Sequence, residues 1–516
     1  MVETPNPPDQ DTEPHHQPPS RLTSSPFRPS RFNQSLFITA IATLPYLFYG
    51  SMVGILVVLM RLIWEHRSPC LDRLTRPCVG AIALLLLLSA IDAYNPGEAL
   101  LQLANFLPYM LLFAYLPSLL RSLETLENLA IALVLTSVPI NLIAIGEFIL
   151  KASFLPTPWQ TMPWIQAIRD APHKGRAMVM FDHPNVMASY LVVVLGLALG
   201  LLMMQLDYSY AHHRQMGSLS FQQPGASNLS AGGEHSSIDP LETDNPEIES
   251  PGANQSTGFS SGFSSSSLML WAIGLLLVGI FCTGSRNGVA IALSQLFVFC
   301  ITTRLNRKIL GAIAAIVALG AAAVASLGLG TRQLGIFDLS NDPRVGVWAI
   351  ATELIKERPW LGWGLGNFKF LYPPRLIDPA YQDIFHPHNI WLLLGAEAGI
   401  PVMILMNVLV GFICYRVVRV CLQGIRKTGR IFPTLPLEGA ENHGAEPSER
   451  AIAIGYLLAF WGCLGFALLD VTFYDVRVNA LNWTLLAALY AIPYAVKGIG
   501  ENAGEMGKGK GEGEKA

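Results

Sequence analysis

The chain has 516 residues, of which 51% are hydrophobic and only 14% charged, against about a quarter charged in ordinary soluble domains; its mean hydropathy is +0.40. This composition predicts an integral membrane protein and excludes an ordinary soluble enzyme, and a net charge of −3 leaves no electrostatic footprint for nucleic acid. The seven cysteines lie in or beside apolar runs, with no CxxC pair and no interleaved histidine, so neither a disulfide framework nor a zinc site is expected from them.

Residues 1–34 are rich in Pro, Ser, Gln and Asp and read as a disordered cytoplasmic tail; nothing in them has the form of a cleaved signal peptide. The apolar run Ser35 to Trp64 is interrupted by Pro45 and by Tyr49-Gly50-Ser51. Arginines flank both of its ends, Arg21, Arg28 and Arg31 before it and Arg67, Arg73 and Arg76 after it. Basic loops mark the cytoplasmic side, so the run reads as a hairpin of two short helices. Spans near 78–94, 99–119, 127–150 and 184–206 then complete an N-terminal block, 35–206. Residues 207–267, a Ser, Gly, Asn and acidic stretch without apolar periodicity, read as a disordered cytoplasmic insertion. In the next block, 268–327, spans near 268–283 and 287–303 turn at Gly284-Ser285-Arg286-Asn287, and a third lies near 309–327. Residues 328–388 form a large extracytoplasmic loop. Spans near 389–417, 451–470 and 478–496 make up 389–497, and 498–516 is a disordered tail. The expected architecture is all-α: a polytopic membrane protein of about twelve transmembrane helices with both termini cytoplasmic and a short helix inside the large loop.

That helix begins at Asp342-Pro343, with the carboxylate as N-cap and proline at the first helical position, which puts Arg344 in the first turn. It should stop near Arg358, before Pro359. Val347, Ala351, Leu354 and Ile355, with Trp348 alongside, give it an apolar face. Gly362, Gly364 and Gly366 then break the regularity, and His386-Pro387-His388-Asn389 stands at the mouth of the next apolar run.

Four outward features carry the polar chemistry: Arg176 with Phe181-Asp182-His183-Pro184-Asn185, Gly284-Ser285-Arg286, Asp342-Pro343-Arg344, and His388-Asn389. Three arginines with little acid beyond Asp182 and Asp342 suit an anionic head group, and guanidinium forks match phosphate geometry. At a membrane surface the natural anion is a lipid-linked pyrophosphate. His388 opens a helix, whose positive end disfavours the imidazolium; a neutral imidazole can take the proton of an acceptor hydroxyl. No DxD-like motif and no His/Asp cluster at metal spacing appears in the outer loops, so neither metal nor cofactor is expected. Each feature also has a structural reading. An arginine at a span end can serve as an interfacial anchor, and a histidine there as a hydrogen-bonding group. His386 and His183 are weaker candidates than His388, with His386 the alternative to it as base and a site-shaping role the other reading of both. Glu397, about two and a half turns beyond His388, and Glu147, within a span, are functional candidates as intramembrane carboxylates, with pairing to an arginine an equal account. Trp348, Trp360, Trp363 and Trp391 read first as an interfacial aromatic belt and second as a sugar platform.

Taken together, R-A-M-V-M-F-D-H-P-N before a span, G-S-R-N-G at a hairpin, D-P-R-V-G-V-W heading a loop helix, P-W-L-G-W-G-L-G-N-F, and H-P-H-N-I-W-L-L-L-G-A-E-A-G-I-P resemble the O-antigen ligase/polymerase superfamily, from about Arg176 to Pro401. The resemblance implies an inverting, metal-independent glycosyltransferase of the bacterial inner membrane that uses an undecaprenyl-diphosphate-linked glycan as donor. The acceptor would be a glycan or lipid, with membrane lipid as a further partner and no nucleic acid. It puts the catalytic base at His388 and the diphosphate-binding arginines at Arg286 and Arg344 with Arg176 a third; Asn389, His386 and Glu397 would support them. The superfamily also holds repeat-unit polymerases, and members once proposed as bicarbonate transporters. A small-anion transporter and an export scaffold without catalysis are therefore the competing readings.

Overall fold

The computed structural model describes residues 30–66, 68–151, 175–220, 265–303, 343–376, 384–428 and 447–511, with isolated positions at 162, 166, 173 and 311. The tail before residue 30, most of the 207–267 insertion, the run at 309–327 and the Asp342 cap lie outside the described residues. Among the described residues every regular element is helical: α1 (Arg31–Thr43), α2 (Phe48–Glu65), α3 (Thr75–Ile91), α4 (Pro96–Gln102), α5 (Leu107–Tyr115), α6 (Leu123–Lys151), α7 (Pro184–Ser220), α8 (Ser265–Cys282), α9 (Arg286–Thr302), α10 (Pro343–Glu357), α11 (Phe368–Leu371), α12 (Ile390–Ala398), α13 (Ile400–Thr428), α14 (Pro447–Leu469) and α15 (Val476–Gly511). Helices α7 and α15 run on into segments whose composition reads as unstructured.

Six helical segments are long and apolar enough to cross a membrane, and α3, α9 and Ser267–Cys282 of α8 are shorter apolar helices. The described residues thus form a polytopic α-helical membrane protein, but they do not supply twelve full-length spans. Part of the difference is that α3, α9 and the apolar part of α8 are shorter than a span and that the run at 309–327 lies outside the described residues; two further runs each supply one candidate span but are broken in space. The run from Asn389 to Val417 is two helices, because Gly399 has φ +87° and a Cβ there would collide with the backbone of Trp360. The run across 99–119 is likewise broken at Leu103–Phe106 between α4 and α5.

α7 is the central helix: 94% of its apolar window, Pro184–Leu206, is buried inside the protein. Apolar burial alone cannot hold helices together in lipid, since lipid tails are as apolar as leucine; close backbone approach of small residues does so instead. Gly196 and Gly200 of α7 meet Ala459 and Gly455 of α14 backbone to backbone, with no room for a Cβ at either glycine. Gln295 of α9 adds a polar tie, its Nε2 donating to Val192 O at 2.9 Å and Leu458 O at 2.8 Å. These three helices share an end, and the candidate site lies there.

The large loop has a small core of its own. Val347, Ala351 and Leu354 of α10 pack with Phe368, Leu371, Tyr372 and Ala396, so the apolar face read from the sequence lies on other parts of the protein. Glu397 fixes the glycine-rich turn beneath, accepting from Gly366 N at 2.8 Å and Phe368 N at 3.0 Å.

Candidate functional site

The site is built from chain ends and turns at one end of the bundle. At the last turn of α6, Lys151 Nζ pairs with Glu147 Oε1 at 2.6 Å and donates to Arg176 O at 2.9 Å. Glu147 Oε2 accepts from Met178 N at 3.0 Å and Val179 N at 2.7 Å. Glu147 therefore pairs with a lysine and clamps the irregular segment that carries Arg176. From that segment Arg176 Nε donates to Thr283 O at 2.8 Å and Nη2 to Asn185 Oδ1 at 2.9 Å. The turn before α9 thus lies against Arg176. Gly284, at φ +60°, leaves room for the arginine stem, since a Cβ there would lie 3.1 Å from its Cγ.

Asn185 passes the connection on, its Nδ2 donating to Asp470 Oδ2 at 2.7 Å. Asp470, just past the end of α14, is buried, and its Oδ1 lies 2.9 Å from His388 Nδ1 and accepts from Val471 N at 2.8 Å. Burial alone would raise this carboxyl, but the hydrogen bonds from His388 and Asn185 and the charges of His388 and His386 outweigh it and hold the group well below the usual carboxylate range. An ionised carboxylate only accepts, so His388 Nδ1 must donate, and in the neutral ring the lone pair then sits on Nε2. The His388 side chain is 31% exposed against 10% for Asp470; the imidazole is reachable and its partner is not. The ring's orientation is therefore set by a carboxylate, which sequence reasoning missed, rather than by a helix N-terminus. His388 itself sits outside α12, at φ +50°.

Two further imidazoles line the same end. Burial pushes both His386 and His183 down to about 4, with neighbouring histidines acting in the same direction. His386 makes an edge-to-face contact with His388, centroids 4.7 Å apart, and stacks on Tyr474 at 6.1 Å. His183 accepts from Asn185 N at 3.0 Å.

The residues singled out from the sequence divide as follows. His388 and Arg176 are joined through Asp470 and Asn185. Arg286 is the first residue of α9, exposed, in the turn that lies against Arg176. Arg344 is in the first turn of α10, partly buried, one turn before Trp348, whose Nε1 donates to Pro387 O at 2.9 Å. Asn389 is the N-cap of α12, accepting from Trp391 N and Leu392 N at 2.9 and 3.1 Å. Glu397 stands apart from His388: it is buried under the glycine-rich turn and, among the described residues, reaches the site through Tyr474 OH, at 3.4 Å, beneath His386. Asp182, expected to offset the arginines, pairs with Arg477, which also binds Asp475 and lies 4.9 Å from the Phe181 ring centroid.

Asp470, just past the end of α14, and Arg477, in the first turn of α15, escaped sequence reasoning because they stand where two apolar runs meet, with Asp470 82 residues from His388. A lone carboxylate at the end of an apolar helix was the available signal. The arrangement also gathers His386, His388 and Asp470, one donor atom from each, within 4.8 Å of one another; no such cluster is visible in the sequence of the outer loops. Chemically, this end offers a proton acceptor held by a buried carboxylate, among arginines.

Compared with known families, residues 271–406 match O-antigen ligase. The matched segment contains Arg286, Arg344, His386, His388, Asn389 and Glu397, while Arg176, Asn185 and Asp470 lie outside it. No curated protein matches the chain.

Proposed function

We propose that this multi-pass protein, a member of the O-antigen ligase superfamily by the match over residues 271–406, is an inverting glycosyltransferase working at the periplasmic face of the bacterial inner membrane. It moves a glycan from a polyprenyl-diphosphate carrier, undecaprenyl diphosphate in kind, to a hydroxyl of a glycan or lipid acceptor. The acceptor oxygen attacks the anomeric carbon on the face opposite the carrier, and its proton passes to His388 Nε2. The bond from that carbon to the diphosphate oxygen breaks, and its electron pair leaves with the polyprenyl diphosphate. Arg286 and Arg344, with Arg176 assisting, meet the charge that develops on the leaving group. Asp470 holds His388 in the tautomer that has Nε2 open and stabilises the imidazolium that forms. Guanidinium charge and an imidazole base cover both needs of the reaction, so no metal takes part.

The observation that carries this reading is the unbroken chain of hydrogen bonds from Arg176 through Asn185 and Asp470 to His388. It ties a cation to a base across segments far apart in sequence, as transfer from a diphosphate requires. The test is reconstitution in liposomes, following consumption of a lipid-linked glycan alongside small-anion flux. Donor consumption that is lost in His388→Ala, with no anion flux, is the expected result; flux without donor consumption would make the protein a transporter instead.

A further inference from the structure

His386 adds a third donor to the His388–Asp470 pair that transfer uses, so that two imidazole nitrogens and one carboxylate oxygen lie within 4.8 Å of one another. We propose that this trio is a zinc-type divalent cation site, and that a cation bound there switches the enzyme off. The switching rests on His388 being the base; the binding does not.

The donors suit that ion. Zinc takes histidine nitrogen and carboxylate oxygen at about 2.0–2.2 Å, often with three protein ligands and a fourth position open to water. Tetrahedral geometry at those bond lengths places neighbouring donors roughly 3.3 Å apart. His388 Nδ1 and Asp470 Oδ1 are already 2.9 Å apart, and the His386 donor lies within 4.8 Å of the other two donor atoms. Magnesium and calcium prefer shells of oxygen, so a site with two imidazoles selects against them.

The outer contacts are in place as well. Asn185 and Val471 N orient the Asp470 carboxylate, and Tyr474 stacks on His386. Partners of this kind hold ligands in position for a metal. Pro387, buried between the two histidines, is fixed through its carbonyl by Trp348 Nε1, so the spacing of the two rings is not left to a loose loop.

The inhibition follows from proton counting. A neutral imidazole has one proton for two nitrogens. With a cation on one nitrogen of His388, the proton sits on the other, and no lone pair is left for the acceptor hydroxyl. This holds whichever nitrogen binds the cation.

The test uses the full chain in lipid nanodiscs, stripped of metal and titrated with zinc alone against a chromophoric chelator. One site is expected in the wild type, weakened on the order of a hundredfold in both His386→Gln and Asp470→Asn. Cobalt bound to the wild type should give a tetrahedral spectrum without thiolate charge transfer, a readout that does not depend on any variant folding. Wild-type zinc affinity in the folded variants, or a thiolate cobalt spectrum, would overturn the site. In the transfer assay, zinc should inhibit the wild type reversibly, whereas His386→Gln, measured against its own zinc-free rate, should need at least about tenfold more. Zinc bound at the trio with turnover unchanged would overturn the switch. Absence of turnover at any zinc concentration would count against the transferase reading, and the binding titration would still decide the site.

Discussion

The two ends of the bundle both hold paired charge, but only one of them also sets a buried carboxylate against a reachable imidazole. At one end Asp72 caps α3, accepting from Thr75 N at 2.8 Å, and pairs with Arg416 Nη1 at 2.8 Å. Tyr490 and Tyr494 enclose the pair, the Arg416 guanidinium lying 5.3 and 4.8 Å from their ring centroids, and Arg121 lies 5.5 Å from the Tyr494 ring. This is a closed clamp joining α3, α13 and α15. The other end has closed pairs too, Glu147 with Lys151 and Asp475 with Arg477, but there the buried Asp470 carboxylate faces an imidazole, Arg286 is exposed, and the backbone turns at glycines and at a left-handed His388. Charge that pairs with its opposite holds helices together; charge arranged around a reachable base is fit for chemistry. Hydrogen bonds alone do not separate the two ends, since both are well connected.

The sharpest way to break that comparison is Asp470→Asn. It leaves the shape of the His388 end intact but removes the fixed negative charge and allows the wrong tautomer, so transfer should fall roughly a hundred- to ten-thousandfold with the protein still folded, as donor turnover would measure. Next is the packing that brings both ends into one body. Gly200→Ala puts a Cβ into the backbone of α14 and should cost about 1–3 kcal/mol, seen as a lower unfolding midpoint in nanodiscs. At the clamp, Arg416→Ala removes ring stacking and a partly exposed ion pair. It should cost about 1 kcal/mol and leave turnover per folded molecule unchanged.

The smallest effect concerns pH. Burial pushes the Glu397 carboxyl up to about 7, against hydrogen bonds from Gly366, Phe368 and Tyr474. In the unfolded chain the group titrates near its ordinary value, so between those two points the folded state binds more protons. Glu397 therefore contributes more stability below that window and loses it as pH rises through it. Relative to Glu397→Gln, the wild type should gain stability on going from neutral pH to about 5, and thermal unfolding at the two pH values measures the difference.

How much of this was legible in the sequence depends on what each feature rests on. The apolar runs, the loop helix from Pro343 and its buried face, and the arginine and histidine motifs are local patterns, and periodicity and capping chemistry reveal such patterns. The break at Gly399 was not legible in the apolar run 389–417, because its cause is the crowding of Trp360 against that backbone. Asp470 was invisible in its role, because a single carboxylate in an apolar stretch acquires meaning only when α14 and the segment before α12 end side by side. The number of crossings was not legible, since hydropathy counts apolar runs and does not see how long the helices within them are. Glu397 shows the limit from the other side: its spacing from His388 suggested a shared site, whereas burial under Gly366 makes it a support of the glycine-rich turn.

The most direct measurement is donor turnover in proteoliposomes by His388→Ala and Arg416→Ala, each scaled to the amount of folded protein in the membrane. His388→Ala should lose on the order of a thousandfold while Arg416→Ala stays near the wild-type rate. Wild-type turnover by His388→Ala, or an equal loss in Arg416→Ala, would contradict the assignment of chemistry to the His388 end.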